Sequence, residues 1–352
     1  MYTNTKNHSS NYIGNLDAIK IIAAIGIVFH HYQQLTSVKL GGGIEFYGGK
    51  FVFGYLVELF FVISGFLTAF TYSDNQGFIR WMYKKIERVF PYAFVACLFC
   101  LLSALVYYQA FGEKLIGGRY DLPTIVTSLL LVHTGWIWEY TPAVNNPTWY
   151  LCILIICYII FYVIMRVFSK KTVLEKYGFL IVALISAGLY FYCQHSTISI
   201  PFIRINNCRG YGAFFTGCTL CSAYKYISKR KLIILTVAFW IVSIVTFLRI
   251  GMSNWYILTY FFFPAIVLST ILLPQLNNKI IKRLGAISFE VYLWHVPLYM
   301  IMVTIFALIN YRIVHSYWTM ILFSGFVWLW GTGIYYWFEY PLHNWLSIKN
   351  QS

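Results

Sequence analysis

Ten stretches of this 352-residue chain are apolar over roughly the 20 residues that a helix needs to cross hydrocarbon, and they constrain the fold more than any other feature. They centre on 15–36, 51–72, 88–110, 147–168, 178–194, 210–227, 232–249, 255–274, 285–309 and 317–338. Only 11% of the residues are charged, 60% are hydrophobic, and the mean hydropathy is +0.67. A soluble domain carries about 25% charged residues. So much apolar surface excludes a soluble globular enzyme, and its hydrophobicity excludes a disordered chain. Inside a bilayer every backbone N–H and C=O needs an internal partner. The expected fold is therefore all-α, a polytopic transmembrane helical bundle of about ten spans.

Basic residues orient the bundle, because Lys and Arg collect in cytoplasmic loops. With ten spans and a cytoplasmic N-terminus, eighteen of the 26 basic residues fall inside and eight outside. Segment 123–138 is an eleventh candidate, but making it a span leaves ten inside and sixteen outside. It is read instead as a re-entrant or interfacial piece on the outer side, with both termini cytoplasmic. The expected organisation is a cytoplasmic tail at 1–14, one integral membrane domain at 15–341 and a cytoplasmic tail at 342–352. The first apolar run begins at Ile21, holds two histidines and has no small-x-small cleavage site, so it reads as a retained span in a multi-pass protein of the cell (inner or plasma) membrane. The net charge of +15 then reports orientation rather than nucleic-acid binding. Cys97/Cys100 and Cys218/Cys221 have C-x-x-C spacing inside apolar runs, where i and i+3 share a helix face. They read as packing residues, and no metal site is expected.

Ionisable side chains within spans cost about 2.5–3.5 kcal/mol each on insertion scales, and by default they mark a site. In the first span, Lys20 and His31 are eleven positions apart. At 100° per residue they lie only about 20° from a shared face, and roughly 16 Å apart along the axis. Lys20 is expected at the cytoplasmic mouth of a path, with His31 about mid-bilayer. His30 is about 80° off that face. An imidazole here is either hydrogen-bonded in the bundle or a general base, since its pKa lies near neutral pH. In the second span, Ser64-Gly65 permits a close backbone approach, but packing does not explain Glu58. Before the third span, Lys84, Lys85 and Arg88 could meet lipid headgroups or clamp phosphates. Near the end, Glu290 and His295 again exceed what packing requires. Tyr47, Trp136, Trp138, Tyr140 and Trp149 could stack on sugars or form the interfacial aromatic belt.

In order along the chain stand Lys20-X10-His31, Phe60-Phe61-Val62-Ile63-Ser64-Gly65-Phe66, Lys85-Ile86-Glu87-Arg88-Val89-Phe90-Pro91, Ser288 to His295 with Tyr292-Leu293, and Glu339-Tyr340-Pro341. Together they resemble the membrane acyltransferase 3 family, whose members O-acylate sugars of bacterial surface polysaccharides. The matches run from residue 16 to 341. Lys20 and Lys85 stand where arginine is commoner, which removes a bidentate fork. Leu154 stands where many members have an acid after a Trp-Ser-Leu; here the pattern is Trp149-Tyr150-Leu151. Many relatives carry a further extracytoplasmic hydrolase-like domain, which is not expected here.

The resemblance implies acyl-CoA, expected to be acetyl-CoA, as a cytosolic co-substrate rather than a permanently bound cofactor. The acceptor is a sugar or polysaccharide hydroxyl. Lys20, Lys85 and Arg88 would hold the donor. His31, Ser64 and His295 would do the chemistry, with His31 as base or transient acyl carrier. Glu58, Trp149 and Tyr150 would meet the acceptor. Membrane lipids are the remaining partners, and the oligomeric state is unread. The rival reading, a transporter or flippase for a glycan precursor, would also explain intramembrane charge. It would call for paired broken helices in two related halves, and the sequence has no such pairing.

Overall fold

The computed structural model describes residues 13–38, 45–73, 76–115, 118–168, 172–251 and 253–342. Nearly all of both expected tails lies outside the described residues. Among the described residues the chain is helical, with no extended strand and an isolated bridge between Ile200 and Ile203. The first helices are α1 (Gly14–Thr36), α2 (Leu56–Thr71), α3 (Phe78–Ile86), α4 (Phe90–Phe111) and α5 (Leu122–Leu129). Then come α6 (Trp149–Phe168), α7 (Thr172–His195), α8 (Ile205–Tyr226) and α9 (Lys229–Ile250). A short α10 (Trp255–Ile257) runs through a π-helical turn into α11 (Phe263–Leu272), and α12 (Lys279–Leu308) and α13 (Tyr317–Ile334) follow.

Local signals set the ends. Pro91 sits in the first turn of α4, where its missing N–H costs nothing, and Gly112 closes that helix at φ +69°. The Asn278 side chain accepts from the N–H groups of Ile280 and Ile281 at the start of α12. Ser316 and Thr319 form a reciprocal capping box at the start of α13.

Among the described residues, seven helical segments are long and apolar enough to cross a membrane. They are Phe53–Thr71, Phe90–Phe111, Asn146–Val167, Tyr177–His195, Lys229–Ile250, Trp255–Leu272 and Lys279–Leu308. Helices α1, α8 and α13 have 23, 22 and 18 residues. Polar side chains dilute the first two, and tryptophan and glycine dilute the third. Helix α9 shows where the bilayer must lie: Ile234, Ile241 and Leu248 are exposed, and only Leu232, Thr236 and Ser243 are buried. The helix in segment 123–138 is α5, which has only eight residues, about 12 Å, too short to cross. Beyond it, Leu131, His133 and Thr134 are wholly buried in non-helical chain.

The tightest seam joins α2 to α8. A Cβ on Gly65 would lie 1.9 Å from the Phe214 carbonyl oxygen, and one on Gly217 would lie 2.0 Å from the Val62 oxygen. Each glycine thus admits the other helix's backbone, as the Ser64-Gly65 pair suggests. Cys218 donates to the Gly65 carbonyl at 3.3 Å. All four cysteines of the C-x-x-C pairs are buried and unpaired by disulfides.

Gly65→Ala and Gly217→Ala should each force the helices apart and lower stability by about 1–3 kcal/mol or more. Gly188→Ala on α7 has nothing within 4 Å of the added carbon and should be tolerated. Thermal unfolding of detergent-solubilised protein checks this; equal tolerance at all three positions contradicts it.

Candidate active site

Helices α1 and α12 run together over most of their length, and small residues set their approach. A Cβ on Gly285 would lie 2.4 Å from the Asp17 Cβ. Near the far end of this seam the rings of His31 and His295 stack, with centroids 4.9 Å apart and planes 29° from parallel. The eleven-residue spacing of Lys20 and His31 therefore puts both on the face of α1 turned to α12. His31 is five residues from the end of α1, and its stacking partner His295 is the seventeenth of the thirty residues of α12.

Hydrogen bonds assign the ring tautomers. His295 Nδ1 lies 2.6 Å from the Tyr292 carbonyl oxygen, so it carries the proton. His295 Nε2 is left with its lone pair, buried and without a partner among the described residues. His31 Nδ1 donates to Gln34 Oε1 at 2.9 Å, which also leaves Nε2 as the basic nitrogen. His30 is used differently. Its Nδ1 bonds to the Phe46 carbonyl oxygen at 2.9 Å, and a Cβ on Gly54 would lie 2.7 Å from its Nε2. Gln33 Oε1 accepts from the N–H groups of Phe46 and Tyr47 and pins the same loop. His30 is thus an anchor for that loop, and His31 faces the partner imidazole.

A cavity of about 240 Å³ begins at Lys20. It is lined by Ser64, Tyr150, Ser288 and Tyr292 among others, and it exists because Gly285, Ala286 and Ser288 leave room on α12. Lys20 Nζ pairs with Asp17 at 2.5 Å. Ser64 Oγ and the Tyr150 hydroxyl are 2.9 Å apart. Two hydroxyls sharing one hydrogen bond keep one O–H to offer a ligand. Tyr292 forms the end wall. Its ring centroid is 6.0 Å from that of His295, and its hydroxyl donates to the Pro147 oxygen at 2.5 Å. The cavity stops there, so Tyr292 separates it from the histidine pair.

The cations at the Lys20 end divide. Lys85 Nζ reaches Thr68 Oγ1 at 3.4 Å, one turn along α2 from Ser64. It lies 5.5 and 5.0 Å from the ring centroids of Trp81 and Tyr158. Burial against these rings, with the positive charge of Arg88 nearby, pushes its ammonium down to about 8. Arg88 itself is exposed.

Glu58 is wholly buried, and Arg209 Nε donates to its Oε1 at 2.6 Å. The guanidinium is held between the rings of Tyr55 and Trp149, 5.1 and 5.0 Å from their centroids. Arg209 is the residue the sequence reading missed. Counting it with an outer loop followed from starting the span at 210, whereas α8 begins at Ile205. A buried carboxylate in α2 that demands a cation was the available signal. Glu290 is also wholly buried, but it neighbours Glu339 and lies about 140° around α12 from His295. It is not brought to the histidine pair. Pro297, inside α12, leaves the Leu293 carbonyl without its usual donor, and Asn145 Nδ2 supplies one at 3.2 Å. Among the outer aromatics, Trp149 joins Arg209, Tyr140 lies 5.7 Å from Arg119, and Tyr47 and Trp138 are exposed. Arg204 clasps the chain at 136–139 through the carbonyls of Trp136, Ile137 and Trp138 and the Glu139 carboxylate.

A sequence model of a family described as an acyltransferase domain matches residues 13–337. O-acetyltransferase OatA of Staphylococcus aureus is 25% identical over 340 residues, covering 83% of this chain and 51% of that protein. Nodulation protein 10 of Rhizobium leguminosarum bv. viciae is 31% identical over 107 residues, covering 29% of this chain and 28% of that protein. The chain spans about half the length of the staphylococcal relative. No solved structure matches it.

Breaking the buried ion pair from one side should cost about 3–5 kcal/mol, because the other charge is stranded. Arg209→Leu should therefore unfold well below the parent, and Glu58→Leu with Arg209→Leu should recover most of the loss. A double variant as unstable as the single one, by thermal melting in detergent, contradicts this account.

Proposed function

This chain belongs to the membrane acyltransferase 3 family, and on that premise we propose that it moves an acyl group, acetyl by expectation, from acyl-CoA to a hydroxyl of a cell-surface or lipid-linked glycan. The observation that carries the reading is the histidine stack standing beyond a cavity that starts at Lys20. The staphylococcal relative is an O-acetyltransferase by name, which supports acetyl as the group and oxygen as its acceptor.

The topology that goes with this reading has ten crossings, the seven apolar segments plus α1, α8 and α13. Both termini are cytoplasmic, by the eighteen-to-eight distribution of basic residues, and the membrane is the cell membrane. The Lys20 end then faces the cytosol, and the 123–138 segment lies outside. Acyl-CoA comes from below, its phosphates near Lys20, Lys85 and Arg88. Its thioester arm enters the cavity, where the spare hydroxyl hydrogen of the Ser64–Tyr150 pair meets the carbonyl oxygen and the charge that develops there.

The acceptor hydroxyl arrives from the opposite end. His31 Nε2 takes its proton as the oxygen attacks the thioester carbon. A C–O bond forms, the C–S bond breaks, and the thiolate takes the proton back from the imidazolium. Gln34 keeps the tautomer of His31 correct, and His295 holds its ring in place. Glu58, Arg209 and Trp149 lie on the acceptor side. Because Tyr292 closes the cavity, its side chain must turn before donor and acceptor meet, which keeps water from the thioester until then.

A general base of this kind contributes roughly 100- to 10,000-fold. His31→Ala should lower acetylation of the acceptor by that order, with the protein still folded in the membrane, as read by NMR of the surface glycan and by radiolabel transfer in isolated membranes. Normal acetylation by this variant removes His31 from the chemistry. His30→Gln, which keeps a polar anchor for the loop, should cost far less.

A further inference from the structure

The charges of Glu58 and Arg209 meet, but their hydrogen-bonding capacity is only partly used. Arg209 Nε donates to Glu58 Oε1 at 2.6 Å, and among the described residues this is the one hydrogen bond of the guanidinium. Glu58 Oε2 is buried with no partner. A guanidinium this close to a carboxylate commonly makes two parallel bonds. Here the second is missing, and Nη1 and Nη2 stay out of the pair. Neither is among the buried atoms left without a partner, and 20% of the Arg209 side chain is open. With Tyr55 and Trp149 on the guanidinium and Nε taken, the terminal nitrogens belong to that opening. We propose that Arg209 and Glu58 hold a second hydroxyl of the sugar whose first hydroxyl is acylated, and that this sugar is uncharged. The inference rests on the acyl-transfer reading above and narrows its acceptor.

Position comes first. Tyr55 follows Gly54, where a Cβ would lie 2.7 Å from His30 Nε2. The rings of His30 and His31 meet edge to face, with centroids 5.1 Å apart. On the other side, Trp149 precedes Tyr150, which lines the donor cavity and shares a hydrogen bond with Ser64. The guanidinium is thus held between a segment that touches the histidines and a wall of the donor cavity. A sugar bound to it lies beside the place where the thioester and His31 have to meet.

Hydrogen-bond balance selects the ligand. The site has donors to spare at Nη1 and Nη2, and it lacks a donor for Oε2. A hydroxyl both accepts and donates. It takes a bond from the guanidinium and gives its hydrogen to Oε2, which the soft final torsion of the glutamate turns toward it. A carboxylate or phosphate only accepts, so Oε2 would stay unpaired. It would also add a negative charge to a pair whose charges already cancel, in an interior where an unbalanced charge is costly. A sugar ring carries several hydroxyls, so one can rest on Arg209 while another faces His31 Nε2.

The test uses the full chain in phosphatidylcholine nanodiscs. The probe is surface glycan from cells lacking the protein, cleaved to soluble oligosaccharides and separated by anion exchange into neutral and acidic fractions. Phenylglyoxal attacks the terminal nitrogens of accessible arginines, and peptide mass spectrometry reads Arg209 and the exposed Arg249 separately. The neutral fraction should slow modification of Arg209 at least about tenfold and leave Arg249 unaffected, and CoA should protect neither. Arg209→Lys keeps a charge opposite Glu58 but loses the fork. It should melt close to the parent and raise KM for the neutral oligosaccharides about tenfold, as expected for one lost hydrogen bond to a charged group, with KM for acetyl-CoA held. Four results would each overturn the proposal: Arg209 unreactive in the parent, no protection by the neutral fraction, protection by CoA, or an unchanged glycan KM in folded Arg209→Lys. Protection by the acidic fraction alone overturns it as well. If the lysine variant does not fold, protection of the parent decides. Protection reports binding and needs no transfer. If acetyl reaches the glycan while Arg209 goes unprotected, this inference falls alone. If neutral oligosaccharides protect Arg209 but acetyl-CoA releases no thiol, the acyl-transfer reading falls instead.

Discussion

Packing of α1 against α12 is the constraint on which the rest depends. Glycine at 285 lets Asp17 approach, the Tyr32 and Tyr299 rings meet edge to face, and His31 and His295 stack between those two contacts. With this seam fixed, the volume left by Gly285, Ala286 and Ser288 becomes the cavity beside Lys20. A cation and an imidazole then stand on one side of one helix, roughly 16 Å apart. Chemistry across a membrane needs this combination: a positive mouth for an anionic donor, and a base deeper in the bundle.

Polar groups away from the seam follow the rule that a buried charge or orphaned backbone group must find a partner. Arg209 satisfies Glu58, and two aromatic rings enclose the cation. Asn145 satisfies the carbonyl that Pro297 leaves open, and Tyr292 bonds to the Pro147 carbonyl. Both bonds tie the non-helical chain before α6 onto α12. The loop chain near the histidines is therefore held by the helices whose regularity it interrupts.

Much of this was legible in the sequence because a bilayer leaves few options. Apolar length located the helices, and the 100° step put Lys20 and His31 on one face. Ser64-Gly65 announced a close helix contact, realised against Phe214. Helix beginnings were less legible. Five residues of α8 precede its apolar stretch, and Arg209 is the last of them. Glu290 sits in a motif with His295, but motif order does not set helical face, and it points to Glu339. Tyr292 reads as an ordinary aromatic until the fold shows it standing between a cavity and a histidine.

The central claim is that donor and acceptor meet from opposite sides of the membrane at His31. Sealed proteoliposomes holding the protein in one known orientation measure this directly. Acetyl-labelled acetyl-CoA is supplied only on the side of Lys20 and Lys85, and the glycan only on the other. Label on the glycan, with free CoA thiol remaining on the donor side, is the predicted result. Transfer only when both substrates share one compartment would contradict the account.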